Sequence, residues 1–362
     1  MSGGSLNPAP GTAAGDLSER VRRAAAGTMD LMSIWLGHRL GLYDALSAGA
    51  CSAAELADRT GTNRRMVREW LEQQAVTGFL QLEPVADEPE RRYRLAPGAA
   101  EAFTDADSFS YAVPPALDLL NAVGFLPAIE ETFRTGRGLE QAYGWVEGRP
   151  DGNRPRFLRR LGTEWLPAVP EVHRRLSSEP PARIADIGVG SGWSSIAMAL
   201  AYPRVRVDGF DLDEVAIGFA RKHAEQTGVA DRVSFRAVDV ATLEPADRYD
   251  LVTMFEALHD LSQPVVLLDL LRGLLTEGGC VIVADERVPS EYAAPGTDFD
   301  RYTYGWSVIS CLPASLTDPS SRATGAVMRP DTLRDYALEA GYTGVEVLPV
   351  DDYEWRFYRL IP

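Results

Sequence analysis

Three carboxylates and one histidine stand at positions where chemistry could be done. In "RIADIGVGSGWSSI", Arg183–Ile196, Asp186 lies inside an apolar run, and Gly188, Gly190 and Gly192 follow at alternate positions. Such glycines let a backbone turn tightly and approach a ligand with no Cβ in the way. A dinucleotide fingerprint would need glycine three residues after Gly190, where Trp193 stands, so that reading fails. Asp211 ends "RVDGFDL", about twenty residues on, where an acid can accept both hydroxyls of a ribose. Asp239 ends "VSFRAVDV", where it can accept from an adenine amino group. Lys222 is the only lysine in the chain, so no lysine stands among these acids to bind phosphate. Acids at three successive strand ends fit a nucleoside that is not a phosphate ester. The plain alternative for the glycines is a tight strand-to-helix turn.

A proton acceptor is offered by one of four histidines. His38 lies in an apolar helical segment and reads as packing, while His173 and His223 sit in charged helical segments and read as solvent-facing. His259 directly follows an apolar strand in "FEALHDLSQP". It can serve as a base, or be a loop residue with Asp260 or Ser262 capping the next helix. Cys51, Cys280 and Cys311 are far apart, and no second histidine lies near His259, so neither a metal nor a disulfide framework is expected.

These residues are positioned by a chain of alternating strands and helices. From Arg183 the order is strand "RIADIGV", helix "WSSIAMALAY", strand "RVDGFDL", helix "EVAIGFARKHAEQTG", strands "VSFRAVDV" and "YDLVTMF", helix "PVVLLDLLRGLL" and strand "CVIVADE". Helix "DTLRDYALEAG" and strands "VEVLPV" and "WRFYRL" close it. Strands this apolar are buried on both faces, which predicts an α/β fold: a Rossmann-like, seven-stranded, mostly parallel sheet with helices on both faces. Its ligands bind at the C-terminal strand ends. The last two strands are too close for a crossover helix and should pair antiparallel. Asp213 and Glu214 open the helix after Asp211, where acids suit its dipole.

Upstream, Ser52 starts a helix, "TGTN" turns, Asn63 caps a second helix, and "FLQLE" and "RRYRLA" make a two-stranded wing. This is a winged-helix pattern. Arg64, Arg65 and Arg68 would face DNA if it bound any. Between Cys51 and Leu80, however, four arginines meet four acids, Glu55, Asp58, Glu69 and Glu72, which favours packing or dimerisation. The apolar "LMSIWLGHRLGLYDAL" needs burial against a second copy of the chain. Tyr143 sits in "LEQAYGWVEG", a loop that could face a ligand. Tyr302, Tyr304 and Trp306 are spaced for a pocket wall or a dimer interface.

The chain has 362 residues, 45% of them apolar, and a formal net charge of -16. That charge argues against nucleic acid as the main partner and suits a small neutral or cationic ligand. No run is apolar enough to span a membrane. The small, Pro/Gly-rich N-terminus lacks a signal pattern, so a tail in a cytoplasmic protein is expected. The scarcity of lysine beside much Ala, Gly and Pro points to a GC-rich bacterial source.

The set "ADIGVGSG", "GFDLDE", "AVDV", "YDLVTMFEALHD" and "LLTEGGCVIVADE", in this order, resembles the successive motifs of class I methyltransferases that use S-adenosylmethionine. With the winged helix and "AYG", it resembles the O-methyltransferases of plant and actinobacterial secondary metabolism. The resemblance implies S-adenosylmethionine as cofactor and S-adenosylhomocysteine as product. It places Asp186, Gly188, Gly190, Gly192, Asp211, Asp239, Met254 and Phe255 at the cofactor. It makes His259 the base that deprotonates a hydroxyl, Asp260 its neighbour, and Asp285 the acid that orients it. It also implies a homodimer formed through the N-terminal domain. The group's "HDW" is "HDL" here, and a second supporting acid has no match. The ranges expected are a disordered tail at 1–17, a winged-helix dimerisation domain at 18–100, a helical linker and substrate cover at 101–165, and the methyltransferase domain at 166–362. The acceptor expected is a hydroxyl of an aromatic or polyketide-like metabolite. Alternatives are a C- or N-methyltransferase on the same fold, a winged-helix transcriptional regulator with a metabolite as effector, and a cofactor-binding protein that no longer transfers methyl groups.

Overall fold

The helix starts read from the sequence are made by the residues expected. Ser52 and Glu55 close a reciprocal capping box, and the Asn63 side chain accepts from the backbone N–H groups of Arg65 and Met66. In the computed structural model, residues 12–83, 91–139, 151–242 and 248–362 are described. The chain forms two units, Met1–Asn121 and Ala122–Pro362.

The first unit holds α1 (Ala13–Arg39), α2 (Leu42–Ser47), α3 (Ala53–Thr60), α4 (Arg64–Val76), strands β1 (Leu80–Glu83) and β2 (Arg92–Leu95), and α5 (Ala99–Thr104). The wing pairs antiparallel from Leu80↔Leu95 to Glu83↔Arg92. Helix α1 begins at Ala13, so residues 13–17, expected in a disordered tail, belong to it. Its Ile34 joins Leu42, Tyr43, Leu46, Leu56, Leu71 and Phe103 in the unit's core, while Met32, Leu36 and Leu40 stay exposed. The α4 arginines are held by acids of the same helix, Arg65 by Glu69 at 2.5 Å and Arg68 by Glu72 at 3.1 Å. Helix α6 (Val113–Val123) begins in this unit and carries the chain across its boundary at Asn121.

The second unit begins with α7 (Leu126–Thr135) and α8 (Arg154–Arg156). The latter continues as a π-helical stretch, Phe157–Trp165, and α9 (Pro170–Ser177) follows. The sheet strands are β3 (Arg183–Ile187), β4 (Arg206–Asp211), β5 (Val233–Ala237), β6 (Tyr249–Phe255), β7 (Leu275–Glu286), β8 (Gly344–Val347) and β9 (Trp355–Ile361). The helices between and after them are α10 (Trp193–Ala201), α11 (Glu214–Thr227), α12 (Pro264–Gly273), α13 (Asp298–Trp306), α14 (Leu312–Ser315) and α15 (Pro330–Glu339). The spatial order is β5-β4-β3-β6-β7-β9-β8. The strands from β5 to β7 run parallel, whereas β9 is antiparallel to both β7 and β8. This is the expected seven-stranded sheet. One core cluster joins Ile196, Leu251, Phe255 and Trp355, and another joins Val252, Met254, Leu271 and Val283.

Candidate active site

The glycine turn joins β3 to α10 at the C-terminal edge of the sheet. All three glycines have positive φ: +71° at Gly188, +50° at Gly190 and +85° at Gly192. At two of them, space as well as backbone requires glycine. A Cβ on Gly188 would come within 2.7 Å of the Ala257 Cβ, and one on Gly192 within 2.6 Å of the Phe235 ring. Asp186 is 1% exposed, and its carboxylate accepts from the hydroxyls of Ser194, Ser195 and Thr253 at 2.6–2.7 Å. It therefore ties the turn to α10 and β6. The expected direct contact with the cofactor is replaced by this inward role. Burial raises its pKa.

Asp211 differs. One oxygen accepts from the Gly190 N–H at 2.8 Å and the other from the Asp213 N–H at 3.0 Å. Each oxygen keeps a further lone pair, which suits the vicinal hydroxyls of a ribose. Burial raises this pKa as well. Asp213 caps α11 through the N–H groups of Val215 and Ala216. Asp239 is exposed just past β5, on the strand-end side where Val238 N–H donates to the Asp211 carbonyl. Met254 does not line this region: its side chain is 0% exposed and packs in the core, because alternate residues of β6 point to opposite faces. Phe255 points the other way, 5.3 Å from the Phe157 ring.

Residues 151–154, inside the 101–165 stretch expected as a linker and substrate cover, lie over the turn. Asp151 accepts from the Ser191 hydroxyl, and the Arg154 guanidinium lies over the Trp193 ring at 4.4 Å. His223, expected to face solvent, stacks on Trp193 and meets the Ser191 carbonyl at 3.0 Å. Asn153 donates to Glu256 at 2.5 Å, and the Trp355 indole donates to the other oxygen of Glu256 at 2.7 Å. Glu256, directly after β6, has φ +48°, a strained conformation for a residue with a side chain.

His259 sits in a 3₁₀ turn, Leu258–Asp260, and is 2% exposed. Its Nδ1 lies 2.7 Å from Asp285 Oδ1 and 3.2 Å from Glu286 Oε2, both at the end of β7. Its Nε2 lies 3.3 Å from Asp260 Oδ1. Cys311, at the end of a π-helical stretch after α13, approaches the same ring. Asp260 does not cap α12, whose N-cap is Gln263, and the Ser262 hydroxyl instead donates to the Ser315 carbonyl. Burial is the largest influence on the His259 pKa and lowers it. The acidic surroundings, Asp285 foremost, outweigh burial and hold it well above its ordinary value. Burial pushes Cys311 up to about 12.

Tyr302 and Trp306 share one face of α13, with ring centroids 6.1 Å apart. Tyr304, two residues from each, points elsewhere, toward Tyr292, and accepts from Arg329 at 3.0 Å. The three therefore do not form a single wall. Tyr143 lies outside the described residues. Glu286, Glu256 and Cys311 were not singled out from the sequence. The signal available for Glu286 was a second acid in "VADE".

The sheet order, the glycine turn and the ribose-ready acid define a class I methyltransferase domain. Residues 178–312 match the family described as "Methyltransferase domain", and residues 27–105 match the "Rv2258c-like winged HTH domain". Acetylserotonin O-methyltransferase of Mus musculus is 29% identical over 316 residues, 79% of this chain and 78% of that protein. A ubiquinone biosynthesis O-methyltransferase of Bordetella pertussis is 32% identical over 180 residues, 46% of this chain and 67% of that protein. Human N-acetylserotonin methyltransferase, solved in complex with SAM, superposes with a TM-score of 0.69 at 17% identity, covering 98% of this chain and 99% of that one. The chain belongs to the S-adenosylmethionine-dependent O-methyltransferases. Its cofactor is S-adenosylmethionine, and the paired free lone pairs of Asp211 fit that nucleoside.

Proposed function

We propose that the enzyme methylates a hydroxyl of an aromatic or polyketide-like metabolite, with His259 as general base. The observation that carries this is the fully buried His259, whose Nδ1 is fixed at 2.7 Å from Asp285. A phenol is mostly protonated at neutral pH, so its attack is helped by a base. Asp285 holds the proton on Nδ1, which leaves the lone pair of Nε2 to take the hydroxyl proton. Asp260 Oδ1, beside Nε2, then stabilises the imidazolium. Asp211 would hold the ribose, Asp239 the adenine end, and Gly188 and Gly190 the backbone facing the ligand. When bound, S-adenosylmethionine supplies an electrophilic methyl on a sulfonium. Tyr302 and Trp306 are proposed on the acceptor side.

We also propose a cytoplasmic homodimer, because α1 leaves Met32 and Leu36 exposed, with Leu40 exposed at its C-cap. Among the described residues no helix is long and apolar enough to cross a membrane. The internal pairing of the α4 arginines argues against DNA as partner. Incubation with labelled S-adenosylmethionine and a panel of phenolic and polyketide-like compounds tests the reading. Label in an O-methyl product, lost in His259→Ala, supports it. Transfer to carbon or nitrogen, or a near-normal rate in His259→Ala, refutes the assignment of base and acceptor.

A further inference from the structure

Two buried acceptors at the base are left without a donor. Asp285 Oδ2 and Glu286 Oε2 have no hydrogen-bond partner, although both are enclosed. The two carboxyls converge on the same imidazole nitrogen, at 2.7 and 3.2 Å, and an oxygen of each lies within 4.8 Å of the other. The single Nδ1 proton of His259 is spent on Asp285 Oδ1 at 2.7 Å, and Glu286 Oε2 stands 3.2 Å from the same nitrogen without forming a bond to it. With both acids ionised, two like charges and two unsatisfied oxygens would be enclosed together. Each orphaned acceptor gives up its hydration with nothing in return. One proton placed between the acids removes both faults, as in other sites where two carboxyls share a proton.

We propose that Glu286 is a neutral positioning residue that donates its proton to Asp285, making a chain from Glu286 through the Asp285 carboxylate to His259 Nδ1. The inference rests on the reading of His259 as the base. Its consequence is a cluster with one negative charge, not two, behind the imidazole. Asp285 then stays ionised and keeps the Nδ1 proton in place, while the second acid adds a hydrogen bond without a second charge. The other groups facing the cluster are Glu256 after β6, Asp260 beside Nε2, Cys311 after α13, and Tyr358 of β9 beside Asp285. Burial pushes Glu286 well above the usual carboxylate range, in keeping with a retained proton.

The test uses full-length protein, with calorimetric binding of S-adenosylhomocysteine as the check that each variant is folded. The His259 ring is titrated by NMR, with only four histidines to resolve and His259→Ala to assign it. Infrared spectra with isotope-labelled glutamate report protonated glutamyl carboxyls at neutral pH. A neutral-glutamate band lost in Glu286→Gln is expected, together with a His259 midpoint that barely moves, since one neutral group replaces another. The acid limb of the pH–rate profile should stay equally still. Absence of that band, or a midpoint lowered by about one unit or more in Glu286→Gln, as loss of a nearby negative charge would produce, overturns the proposal. Should Glu286→Gln fail to fold, Glu256→Gln decides. A neutral-glutamate band that survives there belongs to Glu286 and supports the proposal, and its disappearance overturns it. None of these spectra depends on turnover, so a normal rate in His259→Ala would defeat the base assignment and leave the proton-sharing result to stand separately.

Discussion

Replacing Asp211 by asparagine should damage cofactor binding nearly as much as replacing it by alanine. The reason is the pair of backbone donors already on the carboxylate. Gly190 N–H reaches one oxygen at 2.8 Å and Asp213 N–H reaches the other at 3.0 Å. An amide has only one acceptor end. Whichever way it is placed, its NH₂ group meets an N–H donor, so one bond becomes a donor–donor clash. The same end can no longer accept from a ribose hydroxyl. A hydrogen bond to a charged group contributes about 1.5–3 kcal/mol. Losing one such bond outright, weakening the second by removal of the charge and disturbing the Gly190 turn gives a loss of about 2–4 kcal/mol. At 1.4 kcal/mol per tenfold, that is an about 30- to 700-fold higher Kd for S-adenosylhomocysteine, roughly as for Asp211→Ala. Calorimetry measures both directly, and circular dichroism checks that the variants fold. An Asp211→Asn variant binding within about threefold of the parent would refute the geometry. The carboxylate would then not be the group that holds the ribose.

Other expectations follow from the same geometry. His259→Ala should lower turnover by about 10²–10⁴-fold while leaving the affinity for S-adenosylhomocysteine nearly intact, as read by initial rates and calorimetry. The acid limb of the pH–rate profile should lie above pH 6.5, the ordinary histidine value, because the surrounding acids hold His259 protonated longer; a limb at or below 6.5 would contradict this. The raised pKa also stabilises the fold. That contribution is fully present below about pH 6.5 and is lost as pH climbs through the folded-state value, so the thermal midpoint should decline over that range, and less so in His259→Ala. Met32→Glu with Leu36→Glu should convert a dimer into monomers by light scattering at micromolar concentration, while deletion of residues 1–100 should do the same.

The fold was legible because its signals are local. Apolar strands, caps at Ser52 and Asn63, and glycines after β3 each speak for themselves within a few residues. So was the pairing of His259 with Asp285, through the resemblance of two motifs 26 residues apart in the chain. Side-chain direction was harder. Met254 and Phe255 are neighbours on β6, yet one points into the core and the other toward Phe157, and motif position alone did not separate them. Tyr304 was grouped with Tyr302 and Trp306 although helical geometry turns it away from both. A cover was expected at 101–165, but its partners were not legible, because Asp151, Asn153 and Arg154 make contacts 39 to 103 residues apart, as in Arg154 to Trp193 and Asn153 to Glu256.

The acids of the site show how position on a strand divides their work. Asp186 lies within β3, one residue before its end, so its side chain is enclosed by the sheet and by α10. Three hydroxyls satisfy it there, and it is left to shape the turn. Asp211 is the last residue of β4, beyond which the chain bends into α11; two backbone N–H groups fix it while half of its accepting capacity stays free. Glu256 is one residue past β6, where the backbone must turn sharply, and its left-handed φ aims the carboxylate sideways at Asn153 and Trp355. A single step along the strand end thus decides whether an acid builds the scaffold, keeps accepting capacity open at the sheet edge or clasps a neighbouring segment. Had Asp186 been one residue later, it would have left the three hydroxyls of Ser194, Ser195 and Thr253 without their shared acceptor. The price would fall on the turn that presents Gly190 to Asp211, and so on the cofactor site itself.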